Sequence, residues 1–159
     1  MKTEIFVQTG QVCSARGKKI LRSTAIGSCV AVAALAAETE VGAMAHIMLA
    51  GACPAQKEEN KTAYAQDAIH ELTAQLEREG AKIENIIVCV IGGSDVLRKN
   101  DRIGEINVKS VLRILESLNI SVAAKSVGGY NRRSATIDIQ KKTVTFSVGK
   151  GAEQVLWQL

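Results

Sequence analysis

The chain has 159 residues, of which 47% are hydrophobic, 23% are charged and only 3% are aromatic, and its formal net charge is +4. This composition excludes a disordered protein, and the scarcity of aromatic side chains argues against a protein that binds single-stranded nucleic acid by base stacking. At about 100–200 residues per domain, the length predicts a single domain over residues 1–159.

Targeting and redox features are absent from the sequence. No apolar run reaches the ~18 residues of a membrane helix, and the N-terminal segment MKTEIFVQTG lacks the apolar stretch of a signal peptide. The four cysteines form no C-x-x-C pair, so neither a zinc knuckle nor a thioredoxin-like motif is predicted. We therefore expect a cytoplasmic protein with free thiols, no nucleic-acid partner and no membrane insertion.

The first half of the chain predicts strands and a hairpin. Residues 5–9 and 18–22 are short β-type segments, the second more weakly marked. Two apolar runs, 29–35 and 41–49, flank a short polar break and predict a hairpin. A loop with the only proline follows at 51–60.

Two amphipathic helices and four further strands are predicted in the second half. Apolar residues recur at helical spacing within 59–79 and again over 108–118. The apolar run 86–91 is typical of a strand buried on both faces, and further strands are predicted at 120–125, 134–139 and 143–148. We therefore expect an α/β (α+β) layered sandwich with a mixed, largely antiparallel sheet and two main helices.

Cys29 and His46 lie on the two apolar runs of the predicted hairpin. If they are direct partners in an antiparallel ladder, paired residue numbers sum to 75, which places the turn centre between Ala37 and Glu38, inside the polar break. Directly opposed side chains have Cβ atoms about 4.5–5.5 Å apart. This register brings the thiol within hydrogen-bond reach of the imidazole.

Such a pair is suited to nucleophilic catalysis. A free thiol with a pKa near 8.5 is only a few per cent thiolate at neutral pH, and an imidazole can take its proton. The backbone N–H groups of Gly27 and Ser28, just before the cysteine, could stabilise an oxyanion. The hydroxyl of Ser23 or of Thr24 could orient the far nitrogen of the histidine. The alternative is that both residues are ordinary core residues of apolar strands.

A glycine- and arginine-rich segment is the next candidate. It comprises Gly128, Gly129, Arg132 and Arg133. Glycines free the backbone and arginines supply positive charge, which is typical of an anion-binding turn. A plain hairpin loop between two strands explains the same residues equally well.

A glycine pair and a possible zinc site are weaker candidates. Gly92 and Gly93 follow a buried strand, as in phosphate-binding loops, but neither G-x-x-x-x-G-K-[ST] nor G-x-G-x-x-G is present. A zinc site formed by Cys29, His46 and His70 fits no known ligand spacing. The sequence therefore predicts no metal and no cofactor.

The hairpin motifs resemble those of the CheD family, the chemoreceptor glutamine deamidases of bacterial and archaeal chemotaxis. The resemblance is carried by Gly-Ser-Cys at 27–29 and Ala-His-Ile-Met-Leu at 45–49. It continues through the segments 103–108 and 127–129 and through Arg132 and Ser134. It covers a core of about residues 5–148 and leaves 149–159 as a C-terminal tail.

This resemblance implies an α/β sandwich with a papain-like Cys–His site. Such proteins convert selected glutamines on the cytoplasmic helices of methyl-accepting chemotaxis proteins to glutamate, and some hydrolyse glutamyl methyl esters. The family nucleophile falls on Cys29 and its general base on His46. The family's third residue, a threonine six positions before the cysteine, falls on Ser23, with Thr24 next to it.

Chemoreceptor helices are rich in Glu and Gln, so the mild excess of positive charge on this chain favours docking on them. We expect the receptor helices to contact the glycine pair 92–93 and the turn with Gly128, Gly129, Arg132 and Arg133. CheD-like proteins also bind CheC, a phosphatase of phosphorylated CheY. The alternative function is therefore an adaptor that modulates CheC with little or no catalysis of its own.

Overall fold

The computed structural model describes all residues 1–159 and contains two five-stranded sheets. The strands are β1 (Thr3–Phe6), β2 (Val12–Arg16), β3 (Lys19–Ile26), β4 (Val30–Ala36), β5 (Val41–Ile47), β6 (Ile86–Gly92), β7 (Val122–Val127), β8 (Arg133–Asp138), β9 (Thr143–Val148) and β10 (Gln154–Gln158). The helices are α1 (Ala65–Arg78) and α2 (Ile103–Ser117). Neither helix has the length and apolar character that crossing a bilayer requires.

The two sheets and the helices form three layers. One sheet has the order β1-β3-β8-β9-β10 and the other the order β2-β5-β4-β6-β7. The second sheet lies in the middle, because one of its faces packs against the first sheet and the other against α1 and α2. This explains why β4 and β6 are apolar on both faces.

The predicted class is confirmed, but the prediction of one sheet is wrong. Only β1–β3 and β6–β7 pair in parallel, so the pairing is largely antiparallel as expected. The chain forms two sheets because the apolar residues of β3, β8 and β9 cover one face of the middle sheet while the helices cover the other. Sequence periodicity does not tell which layer covers which face.

Two strands were not predicted, and both lie at sheet edges. β2 pairs only with β5, and β10 pairs only with β9. An edge strand is partly exposed on both faces and so has a weak hydrophobic pattern. The C-terminal tail is therefore part of a sheet, and half-buried Trp157 packs against the core between the two sheets.

Strand β3 is longer than the predicted segment 18–22 and contains a bulge. Its pairing with β8 shifts between Ser23 and Ile26, and the two residues between them, Thr24 and Ala25, are exposed. Ala25 has a φ of 53°, a left-handed conformation typical of such irregular positions. The bulge lets Ser23 and Ile26 both face inward although they are three residues apart.

Both helices bury the faces that their periodicity predicts. On α1 these are Ala65, Ala68, Ile69, Leu72 and Leu76, and on α2 they include Val108, Val111 and Leu115. α1 begins at Ala65, after a short 3₁₀ turn at Lys61–Ala63, and not at residue 59 as the sequence predicts. The helices therefore pack on one face of the middle sheet, and the first sheet packs on its other face.

Candidate active site

The β4–β5 hairpin has a different register from the predicted one. Ala31 lies opposite His46, and Val30 lies opposite Ile47. The turn centre is one residue further along than expected, because Ala36 still belongs to β4 and pairs with Ile86 of β6. Moving a turn centre by one residue slides the ladder by two residues, so the direct pairing predicted for Cys29 and His46 is wrong.

The slide leaves Cys29 and His46 on the same face of the sheet. Side chains two residues apart on a strand point the same way, so Cys29, two residues before Ala31, shares the side of His46. That face is the one between the two sheets, since Ala31 and Met44 belong to its core. In a regular ladder such diagonal neighbours lie roughly 7–8 Å apart, within reach of long side chains.

Ser23 holds the imidazole of His46. Its Oγ lies 2.6 Å from Nδ1 and donates to the carbonyl oxygen of Val7 at 2.8 Å. A hydroxyl has one proton, so Ser23 must accept a hydrogen bond from Nδ1–H. Because Nδ1 carries the proton, Nε2 has a free lone pair, which is the form that a general base requires.

Nε2 of His46 is buried and has no hydrogen-bond partner. The whole residue is 2% exposed and Ser23 is 1% exposed. Burial lowers the pKa of His46 below its usual 6.5, and the carbonyl of Val7 offsets part of that shift. The free protein therefore carries a neutral imidazole with an unused acceptor.

Thr24 does not contact Nδ1 of His46. Its side chain is exposed and lines, with Gln8 and Thr9 on the N-terminal segment, an open cavity of about 250 Å³ that reaches His46. The orienting hydroxyl is thus that of Ser23. Strand alternation places Ser23 on the same side as buried Leu21 and turns Thr24 outward.

The loop before β4 presents three unpaired amides. The carbonyls of Gly27, Ser28 and Cys29 accept hydrogen bonds from the N–H of Ser94 (2.9 Å), the side chain of Asn107 (2.9 Å) and the N–H of Gly93 (2.8 Å), respectively. The N–H groups of the same three loop residues donate to no other residue of the protein. All three loop residues line an open cavity of about 400 Å³, so their N–H groups are free to bind an anion there.

Cys29 is half-buried at this cavity. Burial raises the pKa of its thiol, and its own backbone N–H offsets part of that rise. No hydrogen bond joins the sulfur to His46, whose Nε2 is unpartnered. Both pKa shifts favour the uncharged thiol and the uncharged imidazole, and neither favours a preformed thiolate.

The glycines expected to bind a substrate occupy two different environments. A Cβ on Gly92 would come within 2.4 Å of the Cys29 carbonyl oxygen, and one on Gly93 within 2.3 Å of a Val108 methyl group. Gly92 thus lets β6 approach the Cys29 loop, and Gly93 lets α2 pack against the end of β6. A Cβ on Gly128 or Gly129, by contrast, would meet no other atom, and the chain bends there, with Gly128 half-buried and Gly129 exposed.

The neighbouring arginines also differ. Arg132 is exposed and lines the Cys29 cavity. Arg133 is only 9% exposed, and its guanidinium donates to the hydroxyls of Ser94 and Ser126 and to the carbonyl of Gly128. Arg132 is thus available to a ligand, while the guanidinium of Arg133 holds the turn in place.

Asn107 and Ser94 are site residues that the sequence argument missed. Both are buried next to the Cys29 loop, and they bond the carbonyls of Ser28 and Gly27. Asn107 could have been noticed, because it interrupts the buried stripe of α2 with a polar side chain.

His70 lies exposed on α1, and no group of three His, Cys, Asp or Glu side chains could hold a metal ion.

These features define a mixed α/β protein with a thiol, an oriented imidazole and free amides at one end of two packed sheets. A family model described as CheD chemotactic sensory transduction matches residues 48–148. The chain is 34% identical over 154 residues to the probable chemoreceptor glutamine deamidase CheD of Chlorobium luteolum, covering 96% of this chain and 77% of the relative.

Two further relatives agree in name. The chemoreceptor glutamine deamidase CheD of Halalkalibacterium halodurans is 36% identical over 134 residues, covering 80% of this chain and 82% of the relative. That of Thermotoga maritima is 31% identical over 146 residues, covering 91% and 92%. The chain belongs to the CheD family, as the sequence motifs indicate.

Proposed function

We propose that this chain is a chemoreceptor glutamine deamidase, a hydrolase that converts glutamine side chains of receptor helices to glutamate through a thioester on Cys29. The name shared by its relatives supports this activity. The observation that carries the mechanism is the buried, unpartnered Nε2 of His46, oriented by Ser23 on the face that Cys29 shares. The site is then papain-like in its division of roles between thiol and imidazole.

In the first half-reaction, Nε2 of His46 takes the thiol proton while the sulfur of Cys29 attacks the side-chain carbonyl of glutamine. The C=O electron pair moves to oxygen, and the free N–H groups of the loop 27–29 stabilise the oxyanion. As the tetrahedral intermediate collapses, the C–N bond breaks and His46 returns the proton to the departing ammonia. The product is a glutamyl thioester on Cys29.

In the second half-reaction, His46 takes a proton from water, and the oxygen attacks the thioester carbonyl. The C–S bond breaks, the sulfur of Cys29 leaves with the proton from His46, and glutamate is released. No cofactor enters either step. The same sequence with methanol as leaving group would hydrolyse a glutamyl methyl ester.

The protonation states favour a general-base mechanism. With the pKa of His46 lowered and that of Cys29 raised, the resting pair is neutral. The proton therefore moves during attack rather than before it. Catalytic hydrogen bonds are often long in a free enzyme and tighten when substrate binds, so the missing contact between the two groups is compatible with this role.

Substrate and partner contacts follow from the cavity rim. We propose that exposed Arg132 contacts acidic residues of the receptor helix, together with the turn at Gly128 and Gly129, while Gly92, Gly93 and Arg133 support the site from beneath. We also propose that residues 1–159 act as one deamidase domain in the cytoplasm, and that a CheC-like phosphatase binds at the same rim.

The test uses purified protein and a receptor cytoplasmic fragment. Wild-type protein should release ammonia and convert specific glutamines to glutamate, detected by peptide mass spectrometry. Cys29→Ala should release none. Cys53→Ala is the matched control, because Cys53 lies outside the cavity, near the start of α1, and it should retain activity. Deamidation by the Cys29→Ala protein would exclude the thioester mechanism, and methanol release without ammonia would indicate an esterase.

A further inference from the structure

Asn107 occupies a position where helix spacing calls for an apolar side chain. The buried stripe of α2 runs through Gly104, Asn107, Val108, Val111 and Leu115. Asn107 is 2% exposed. A buried amide destabilises a fold unless its donors are satisfied, so the side chain of Asn107 needs hydrogen-bond partners at this position.

Both N–H bonds of the Asn107 amide are used, and on two different elements. Nδ2 donates to the carbonyl of Ser28 at 2.9 Å and to the carbonyl of Met48 at 3.1 Å. Neither carbonyl accepts a hydrogen bond from any backbone N–H. One side chain therefore ties the loop before Cys29 to the chain just after β5, two residues beyond His46.

The contact with Ser28 also sets the direction of the next amide. In a trans peptide the C=O and the following N–H point in opposite directions, and the chain contains no cis peptide. Holding the Ser28 carbonyl towards α2 turns the N–H of Cys29 away from α2. That N–H donates to no other residue of the protein.

We propose that Asn107 is a positioning residue for the proposed deamidation, which aims the Cys29 N–H at the oxyanion and holds the loop in register with the His46 strand. It does not touch the substrate. The inference rests on the proposed function. It predicts a slower rate for reactions of Cys29 that form an oxyanion and an unchanged rate for reactions that use only the thiol.

The experiment compares two reactions of Cys29 in Asn107→Leu. Glutamine deamidation forms an oxyanion, whereas alkylation by iodoacetamide displaces iodide and forms none. We expect kcat for deamidation to fall roughly 10²-fold, with KM nearly unchanged, and alkylation at a fixed alkaline pH to stay within about twofold. Ser110→Ala is the control, since Ser110 on α2 also bonds a loop, at Gly51, away from Cys29; it should keep wild-type rates.

Each result separates the possibilities. Unchanged deamidation in Asn107→Leu overturns the inference, and a parallel change in alkylation shows that Asn107 is merely structural. An inactive wild-type protein would instead refute the proposed function. If Asn107→Leu does not fold by circular dichroism, Asn107→Ser is used, since its shorter side chain cannot reach both carbonyls, and the same two rates apply.

Discussion

Ser23 accepts a hydrogen bond from Nδ1 of His46 at 2.6 Å while donating its own proton to the carbonyl of Val7. This single relationship sets the tautomer of the imidazole, because the serine proton is already used. It makes Nε2 the basic nitrogen on the face that Cys29 shares.

Replacing Ser23 with alanine should lower kcat for deamidation roughly 10²-fold, because the imidazole loses the partner that fixes its orientation and tautomer. Ser23→Thr should restore most of the activity, since it keeps the hydroxyl. Steady-state ammonia release measures both. Equal activity of the alanine and threonine variants would show that the hydroxyl does not orient His46.

The pH profile of kcat/KM should be broad. The acid limb should lie below pH 6.5, because burial lowers the pKa of His46 and the neutral base therefore persists to lower pH. The alkaline limb should lie above that of an ordinary thiol, because burial raises the pKa of Cys29. An acid limb at or above pH 6.5 would contradict the neutral resting pair.

Thiol reactivity should separate the cysteines. In the native protein, Cys29 should react with iodoacetamide more slowly at neutral pH than a free cysteine and accelerate at alkaline pH. Cys89 is fully buried, with its pKa raised by burial to about 11, and should react only after unfolding. Peptide mapping gives both rates. Fast alkylation of Cys29 near pH 6 would instead indicate a preformed thiolate.

Two glycine substitutions should differ in their effect on stability. Gly92→Ala should lower the free energy of unfolding by roughly 2–4 kcal/mol, because the new methyl group collides with the Cys29 carbonyl at a φ of 124°. Gly128→Ala should lower it by only about 1 kcal/mol, since its φ of 81° is strained but its surroundings are open. Urea denaturation measures the difference, and equal losses would contradict the close packing at Gly92.

Alanine substitutions of Arg132 and Arg133 should have different effects, one on substrate binding and the other on stability. Arg133→Ala should lower the free energy of unfolding by roughly 2–4 kcal/mol, because it removes buried donors from Ser94 and Gly128. Arg132→Ala should change it by less than about 0.5 kcal/mol and instead raise KM for the receptor fragment. Thermal melts and kinetics test the pair, and a stability loss in Arg132→Ala would refute the division.

Local patterns in the sequence determined much of the fold and part of the site. The apolar faces of α1 and α2 and the buried strand β6 follow from periodicity, because burial acts on every residue of one face. Side chains alternate along a strand, so Cys29 and His46 stay on the same face of the sheet when the hairpin register slides by two residues. The choice between Ser23 and Thr24 stayed open, because the predicted strand 18–22 ends before both residues, and only the extension of β3 to Ile26 shows that Ser23 faces inward.

Only the tertiary structure decided the rest. The hairpin register depends on Ala36 pairing with Ile86, fifty residues away along the chain, and no local pattern contains that contact. The conformation of the Cys29 loop likewise depends on donors just after β6 and on Asn107 of α2. The protonation of the thiol and imidazole follows from burial between two sheets, which is a property of the packed layers and not of any single segment.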